Sequence, residues 1–150
     1  MKRLTTLCMV LLMLAAVTSY SQNRQAVKPS LFFNFPTTIE LTEAQLSSFF
    51  SVAKGQNINL PLANNLSLDG PVTTKLIKYS NLQTVIVKLP AFKNSLFSVS
   101  KQTDDANNII YVGRILNPLY ADGFELKRKP DGNYQLIKID LEKVVVDCSQ

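Results

Sequence analysis

Hydrophobic residues recur at every second position over much of the chain after residue 55, a pattern that predicts β-strands with one buried face. The clearest alternations place apolar side chains at Val85, Val87 and Leu89, at Phe97 and Val99, and at Phe124 and Leu126. Residues 109–115 are apolar on both sides of the alternation, which predicts a central strand. Strands without intervening helices predict an antiparallel sheet.

Turn-forming residues separate these strands. Residues 129–133 read Lys-Pro-Asp-Gly-Asn and predict a tight hairpin between strands at 124–129 and 134–140. Asp69 and Asp122 each precede a glycine and are interpreted as further turn residues, and residues 104–108 as another hairpin turn. The apolar residues 144–146 predict a last strand that is buried on both faces.

One segment breaks the period of two and predicts a helix over about 43–53. Thr42 can cap the first turn while Gln45 reaches back to it, which is a capping box. Three apolar residues then follow at helical spacing, at Leu46, Phe49 and Phe50. The predicted fold class is therefore α+β and mainly antiparallel β, with one N-terminal helix packed on a meandering sheet or partly closed barrel.

An aromatic segment lies ahead of this helix. Residues 31–36 read Leu-Phe-Phe-Asn-Phe-Pro, and as a first strand they would place Leu31, Phe33 and Phe35 on one side. We expect this side to belong to the core. If the segment is left uncovered, Phe32 and Phe33 become candidate binding residues instead, because exposed apolar patches mark interaction sites.

The N-terminus has the pattern of a secretory signal. Lys2 and Arg3 precede an uncharged apolar run over residues 7–17, and small residues follow, so cleavage is predicted between Ser21 and Gln22. An uncleaved anchor is the alternative, but it needs about twenty apolar residues. The predicted domains are a signal peptide at 1–21, a flexible lead-in at 22–30 and one β-rich domain at 31–150.

Removal of the signal changes the charge and the cysteine count. The 16 basic and 11 acidic residues give +5, and loss of Lys2 and Arg3 leaves +3. Such a mild excess does not indicate a nucleic-acid partner. Cys8 leaves with the signal, so Cys148 is the single thiol of the mature chain. It either packs as a small hydrophobic residue or links two molecules through a disulfide.

The chain lacks the residues of most catalytic sites. It contains no histidine, which excludes Ser-His-Asp and Cys-His arrangements and zinc sites built from Cys and His. The carboxylates fall at expected turns, and residues 104–108 lack the spacing of an EF-hand calcium loop. The sequence therefore predicts a protein without catalytic residues, metal or cofactor.

Gly113 and Arg114 are the last candidates for a site. An isolated glycine within a strand marks a bend or a place where another backbone or a ligand comes close. Arg114 beside it could bind an anion, or it could simply lie on the solvent face of the strand. The sequence leaves both interpretations open.

With its N-terminal signal, its Thr-Glu-Ala-Gln helix start at 42–45 and its Asp-Cys-Ser-Gln end at 147–150, the chain resembles small secreted proteins of unassigned function from Gram-negative bacteria. The resemblance implies export to the periplasm, the cell envelope or the extracellular space. We expect a non-enzymatic binding protein whose partner is an envelope or extracellular protein or glycan. We expect no membrane span after signal cleavage. The alternative is a small barrel-like carrier of an apolar ligand.

Overall fold

The computed structural model describes residues 27–62 and 66–146, except for the side chains of 144–146. The predicted signal segment with Ser21 and Gln22, and also Cys148, lie outside the described residues. Within the described ranges, no helix is both long enough and apolar enough to cross a membrane.

Eight strands form one antiparallel sheet in the described part of the chain. They are β1 (Thr38–Leu41), β2 (Asn57–Pro61), β3 (Ser67–Tyr79), β4 (Leu82–Leu89), β5 (Ser95–Thr103), β6 (Ile109–Leu116), β7 (Asp122–Arg128) and β8 (Tyr134–Asp140). Strands β2 to β8 follow one another as a meander, and β1 pairs with β8 at the far edge. The sheet curls into a half-barrel, so the prediction of a mainly antiparallel β fold is confirmed.

Alternate residues of the strands fill the inside of the half-barrel. Val87 lies opposite Phe97, which lies opposite Ile115, which in turn lies opposite Phe124. All four side chains are almost fully buried. Because strand side chains alternate between the two faces of a sheet, this row fixes which residues point inward and which point outward.

The helix α1 (Glu43–Ser51) closes the inside of the half-barrel and ends two residues earlier than predicted. Its capping box is formed, since Thr42 N donates to Gln45 Oε1 at 2.8 Å and Gln45 N donates to Thr42 Oγ1 at 3.2 Å. The ring of Phe49 is fully buried and meets the edge of Phe97 at 5.1 Å between centroids. The helix therefore packs on the inner face through the predicted apolar stripe.

The aromatic segment before β1 is not a strand, and the predicted alignment of Leu31, Phe33 and Phe35 is wrong. Phe35 N donates to Phe32 O at 3.0 Å, which makes a turn. Phe32 is 1% exposed, whereas Phe33 is 80% exposed. The backbone donors of Leu31 and Phe32 bind the carboxylate of Asp122 at 2.7 and 2.9 Å instead of a neighbouring strand.

Contacts with the sheet begin before residue 31, since Ala121 N donates to Pro29 O at 3.0 Å. Ser30 Oγ also donates to Asp122. Phe32 then packs edge-on against three rings, those of Phe35, Phe92 and Phe124, at 5.0 to 5.7 Å between centroids. The segment 29–35 is thus part of the folded domain, and Phe32 anchors it in the core.

The predicted turns are partly confirmed. The hairpin at 129–133 is present, with Lys129 N donating to Asn133 O at 2.7 Å, and the turn at 104–108 is present as well. The prediction is wrong for Asp69, which lies inside β3, and for Asp122, which is the buried first residue of β7.

The predicted last strand at 144–146 is also wrong. These residues belong to a short helix α2 (Leu141–Val146). Asp140 Oδ1 accepts a hydrogen bond from Glu142 N at 3.0 Å, so the carboxylate binds a backbone donor of the first turn, as a helix cap does. This local bond favours a helical start over continuation of β8.

Candidate functional site

The predicted binding residues do not form one site. Phe32 is buried in the core, and Phe33 is exposed in the turn before β1. Arg114 lies on the outer face of β6, as the solvent-face interpretation expects, and Cys148 lies outside the described residues. Of these candidates, Arg114 is the one that lines the groove described next.

The outer face of the sheet is unusually apolar. Solvent-facing sides of antiparallel sheets usually carry polar residues. Here the register places aliphatic side chains outward at Leu76, Leu82, Ile86, Leu96, Ile110, Val112, Leu116, Ile137 and Ile139. Leu76 and Val112 are each 52% exposed and Leu96 is 43% exposed, so this surface is open to solvent.

A groove of about 830 Å³ runs over this face across β4, β5, β6 and β7, and we call it the outer groove. Its aliphatic lining includes Ile86, Leu96, Ile110, Val112 and Leu116. The hydroxyl-bearing residues Ser98 and Ser100 of β5 lie between them. Because serine is short, the two residues leave room among larger neighbours and form the floor of the groove.

Gly113 lies at the centre of the sheet beneath the outer groove. A β-carbon at this position would lie 2.6 Å from Ser98 O and 3.3 Å from the Phe97 ring. The close approach of another backbone, which the isolated glycine predicted, is therefore confirmed. Strands β5 and β6 can pair directly below the groove because residue 113 has no side chain.

Charged groups line one side of the outer groove. Arg114 Nη2 lies 2.8 Å from Glu125 Oε1, and Lys127 Nζ lies 2.6 Å from Glu125 Oε2. Lys127 and Arg114 donate these hydrogen bonds to the carboxylate and hold the pKa of Glu125 below its usual range. The lining also includes Arg128, but its pairing with Tyr134 puts its side chain in phase with the inner face. With Arg114 and Lys127 against one carboxylate, the charge of the groove favours anionic groups.

The lowered pKa of Glu125 predicts how stability depends on pH. The ion pairs contribute fully above the pKa of an unfolded glutamate, about 4.3, and their contribution is lost as pH falls through the lower folded value. We expect Glu125→Gln to be less stable than the wild type at pH 7 and equally stable near pH 2. Urea unfolding of both proteins between pH 2 and pH 7 measures the difference in their free energies of unfolding. A difference that does not change with pH would contradict the stabilising role of the Glu125 ion pairs.

The inside of the half-barrel is occupied by the protein's own aromatic rings. Tyr111 and Tyr134 meet at 5.6 Å between centroids, and Tyr134 Oη accepts from Tyr111 N at 3.2 Å. Both tyrosines are at most 2% exposed, as are Phe97 and Phe124. These rings fill the inner face, whereas the outer groove is open to solvent.

Comparison of the chain with protein-family models, with curated proteins and with solved structures finds no match. Among the residues that the structure describes, no three His, Cys, Asp or Glu side chains come together to hold a metal ion. The outer groove offers aliphatic surface, serine hydroxyls and ion-paired charges. This set of groups is suited to binding.

Proposed function

We propose that this protein is an exported, non-enzymatic binding protein whose outer groove receives a segment of a partner protein in the cell envelope or the extracellular space. The observation that carries the proposal is the aliphatic groove on the solvent-facing side of the sheet. Single exposed apolar residues are ordinary, but a contiguous apolar surface with a charged rim marks an interaction site.

Export rests on residues 1–21 and remains a prediction from the sequence. If it holds, the partner lies in the periplasm, in the envelope or outside the cell. Cys148 would then be in an oxidising compartment, where a disulfide-linked dimer is a separate possibility. Binding experiments are best done in a Cys148→Ser background, so that disulfide partners do not obscure contacts made by the groove.

The lining of the outer groove favours a protein segment over a glycan. Burying sugar hydroxyls against Ile86, Leu96 and Val112 would leave them without hydrogen-bond partners, which costs free energy. Aliphatic side chains of a protein incur no such cost. The cationic side of the groove adds attraction for carboxylates on the same partner.

The alternative function, a carrier of an apolar small molecule, gains less support. Carrier sites bury most of the ligand, usually in an enclosed cavity. In this protein the inside of the half-barrel is filled by rings such as those of Phe97 and Tyr111, and the outer groove is open along one side. An open groove suits a partner that covers it.

Filling the groove tests the proposal. Ser98→Tyr places a ring on the groove floor, and the matched control Ser80→Tyr makes the same change at an exposed position outside the lining. A partner is captured by crosslinking in native envelope extract, identified and purified. Its affinity for each variant is then measured by calorimetry.

We expect Ser98→Tyr to weaken binding of that partner at least about tenfold, a loss of about 1.4 kcal/mol, and Ser80→Tyr to leave it unchanged. Circular dichroism of both variants controls for folding. Equal affinity of the two variants for the captured partner would refute the outer groove as the binding site.

A further inference from the structure

We infer that the occupant of the outer groove is an extended segment of about six residues in which aliphatic and acidic side chains alternate. This inference rests on the proposed function and specifies the element of the partner that is recognised. Its length, its conformation and its charge each follow from a different property of the groove.

The length follows from strand β6. The lining of the groove extends along this strand from Ile110 to Leu116. These residues are six positions apart, and a strand rises about 3.3 Å per residue, so the groove is about 20 Å long. A segment that lies along it in extended conformation fills it with about six residues.

The alternation follows from the groove floor. An extended segment turns alternate side chains to opposite sides, so every second residue faces the groove and can contact Leu96, Val112 and Leu116. Ser98 and Ser100 place hydroxyls on the groove floor, and Ser100 Oγ lies 2.8 Å from Thr84 Oγ1. A peptide backbone can exchange hydrogen bonds with these hydroxyls, whereas a hydrocarbon chain cannot.

The acidic character follows from charge on both sides of the groove. On the β7 side, Arg114 and Lys127 face a single carboxylate, Glu125. On the other side, Lys88 of β4 lies opposite Leu96 of the lining, so its side chain also points to the outer face. Strands β4 and β5 contain neither Asp nor Glu. Carboxylates on the segment are attracted from both sides, and a basic segment is repelled.

Selection from random hexapeptides displayed on phage tests the inference. The wild-type protein is the target, and peptides that also bind Ser98→Tyr are removed. We expect the remaining peptides to be enriched in Asp and Glu together with Val, Ile and Leu. Enrichment of basic or uncharged peptides, or recovery of no peptide at all, would overturn the inference.

Two variants that each remove one charge then test whether the groove attracts acidic side chains. The affinity of each variant is measured for the selected peptide that binds the wild type most tightly. Lys127→Gln is expected to weaken binding about two- to fivefold, the usual effect of one exposed charge pair. Glu125→Gln is expected to strengthen binding by a similar factor, because it removes the single carboxylate of the lining. A general structural disturbance would weaken binding in both variants, so effects of the same sign would contradict the inference.

Failure of the inference is distinguishable from failure of the proposed function. If the captured partner loses affinity for Ser98→Tyr while the selected peptides carry no acidic residues, the groove binds a partner of another chemistry and the inference fails alone. If the captured partner binds Ser98→Tyr as well as the wild type, the proposed function fails with it.

Discussion

Gly70→Ala is expected to lower the free energy of unfolding by about 4 kcal/mol or more, or to prevent folding. A β-carbon at Gly70 would lie 1.9 Å from Lys88 O and 3.0 Å from Pro90 Cδ. The carbonyl of Lys88 belongs to the backbone of β4 and cannot rotate away as a side chain could. The collision can be relieved only by separating β3 from β4.

This glycine matters because of its place in the sheet. Gly70 pairs with Ile58 of β2, and two residues later Val72 pairs with Val87 of β4. The pairing partner of β3 therefore changes at this point from β2 to β4. The absence of a side chain lets the three strands meet there.

Gly132→Ala is the matched control for Gly70→Ala. Gly132 has a φ of +86° in the hairpin turn, and no atom lies within 4 Å of a β-carbon built there. Alanine at this position incurs only the strain of a positive φ, which lowers the free energy of unfolding by about 1 to 2 kcal/mol. Urea unfolding of both variants gives the comparison, and a Gly70→Ala protein as stable as Gly132→Ala would refute the collision.

Asp122→Ala is expected to lower the free energy of unfolding by about 3 kcal/mol. The buried carboxylate accepts hydrogen bonds from Leu31 N and Phe32 N at 2.7 and 2.9 Å and from Ser30 Oγ. Hydrogen bonds to charged groups are each worth about 1.5 to 3 kcal/mol, and unpaired buried donors add a cost. Loss of this anchor also loosens Phe32 within its aromatic cluster.

Hydrogen exchange identifies the cause of the lower stability of Asp122→Ala. In Asp122→Ala, the amides of Leu31 and Phe32 should exchange faster than those of the sheet. Asp131→Ala is the control, since Asp131 is exposed and accepts one backbone hydrogen bond, from Asn133 N at 2.9 Å. If Asp122→Ala were no less stable than Asp131→Ala, the segment 29–35 would not be held by this carboxylate.

The strands and the hairpin turn were predictable because their signals are local. The alternation at Val85, Val87 and Leu89 shows itself within one strand, and the Pro-Asp-Gly turn needs no distant partner. The capping box of Thr42 and Gln45 is equally local, since both bonds join residues three positions apart. Such features form wherever the same residues occur in the same order.

The errors arose where a distant residue changed the local outcome. Residues 31–35 have the composition of a strand, but Asp122 lies about 90 positions away and takes the backbone donors that a strand would use. Asp122 itself precedes Gly123 and resembles a turn residue. Gly123 is instead needed because a β-carbon would lie 2.5 Å from Ile115 O of the neighbouring strand.

The outer groove was missed for a similar reason. Residues 109–115 are apolar on both sides of the alternation and predicted a central strand, without indicating which side is covered. The register leaves Val112 half-exposed on the outer face, and Leu96 of β5 is 43% exposed on that face. Whether a second apolar side is covered depends on which layer packs over it, and the strand pattern carries no information about that layer.

By itself the sequence determined the meander of strands, the capped helix, the hairpin turn and the charge of each segment, because these depend on the order of neighbouring residues. The tertiary structure decided that Asp122 anchors the segment 29–35 and that Gly70 lies where the pairing partner of β3 changes from β2 to β4. It also decided that the aliphatic residues of β4, β5 and β6 line an open groove beside Arg114 and Lys127. These outcomes depend on which distant residues are brought together when the sheet curls, since burial and pairing are properties of the folded chain.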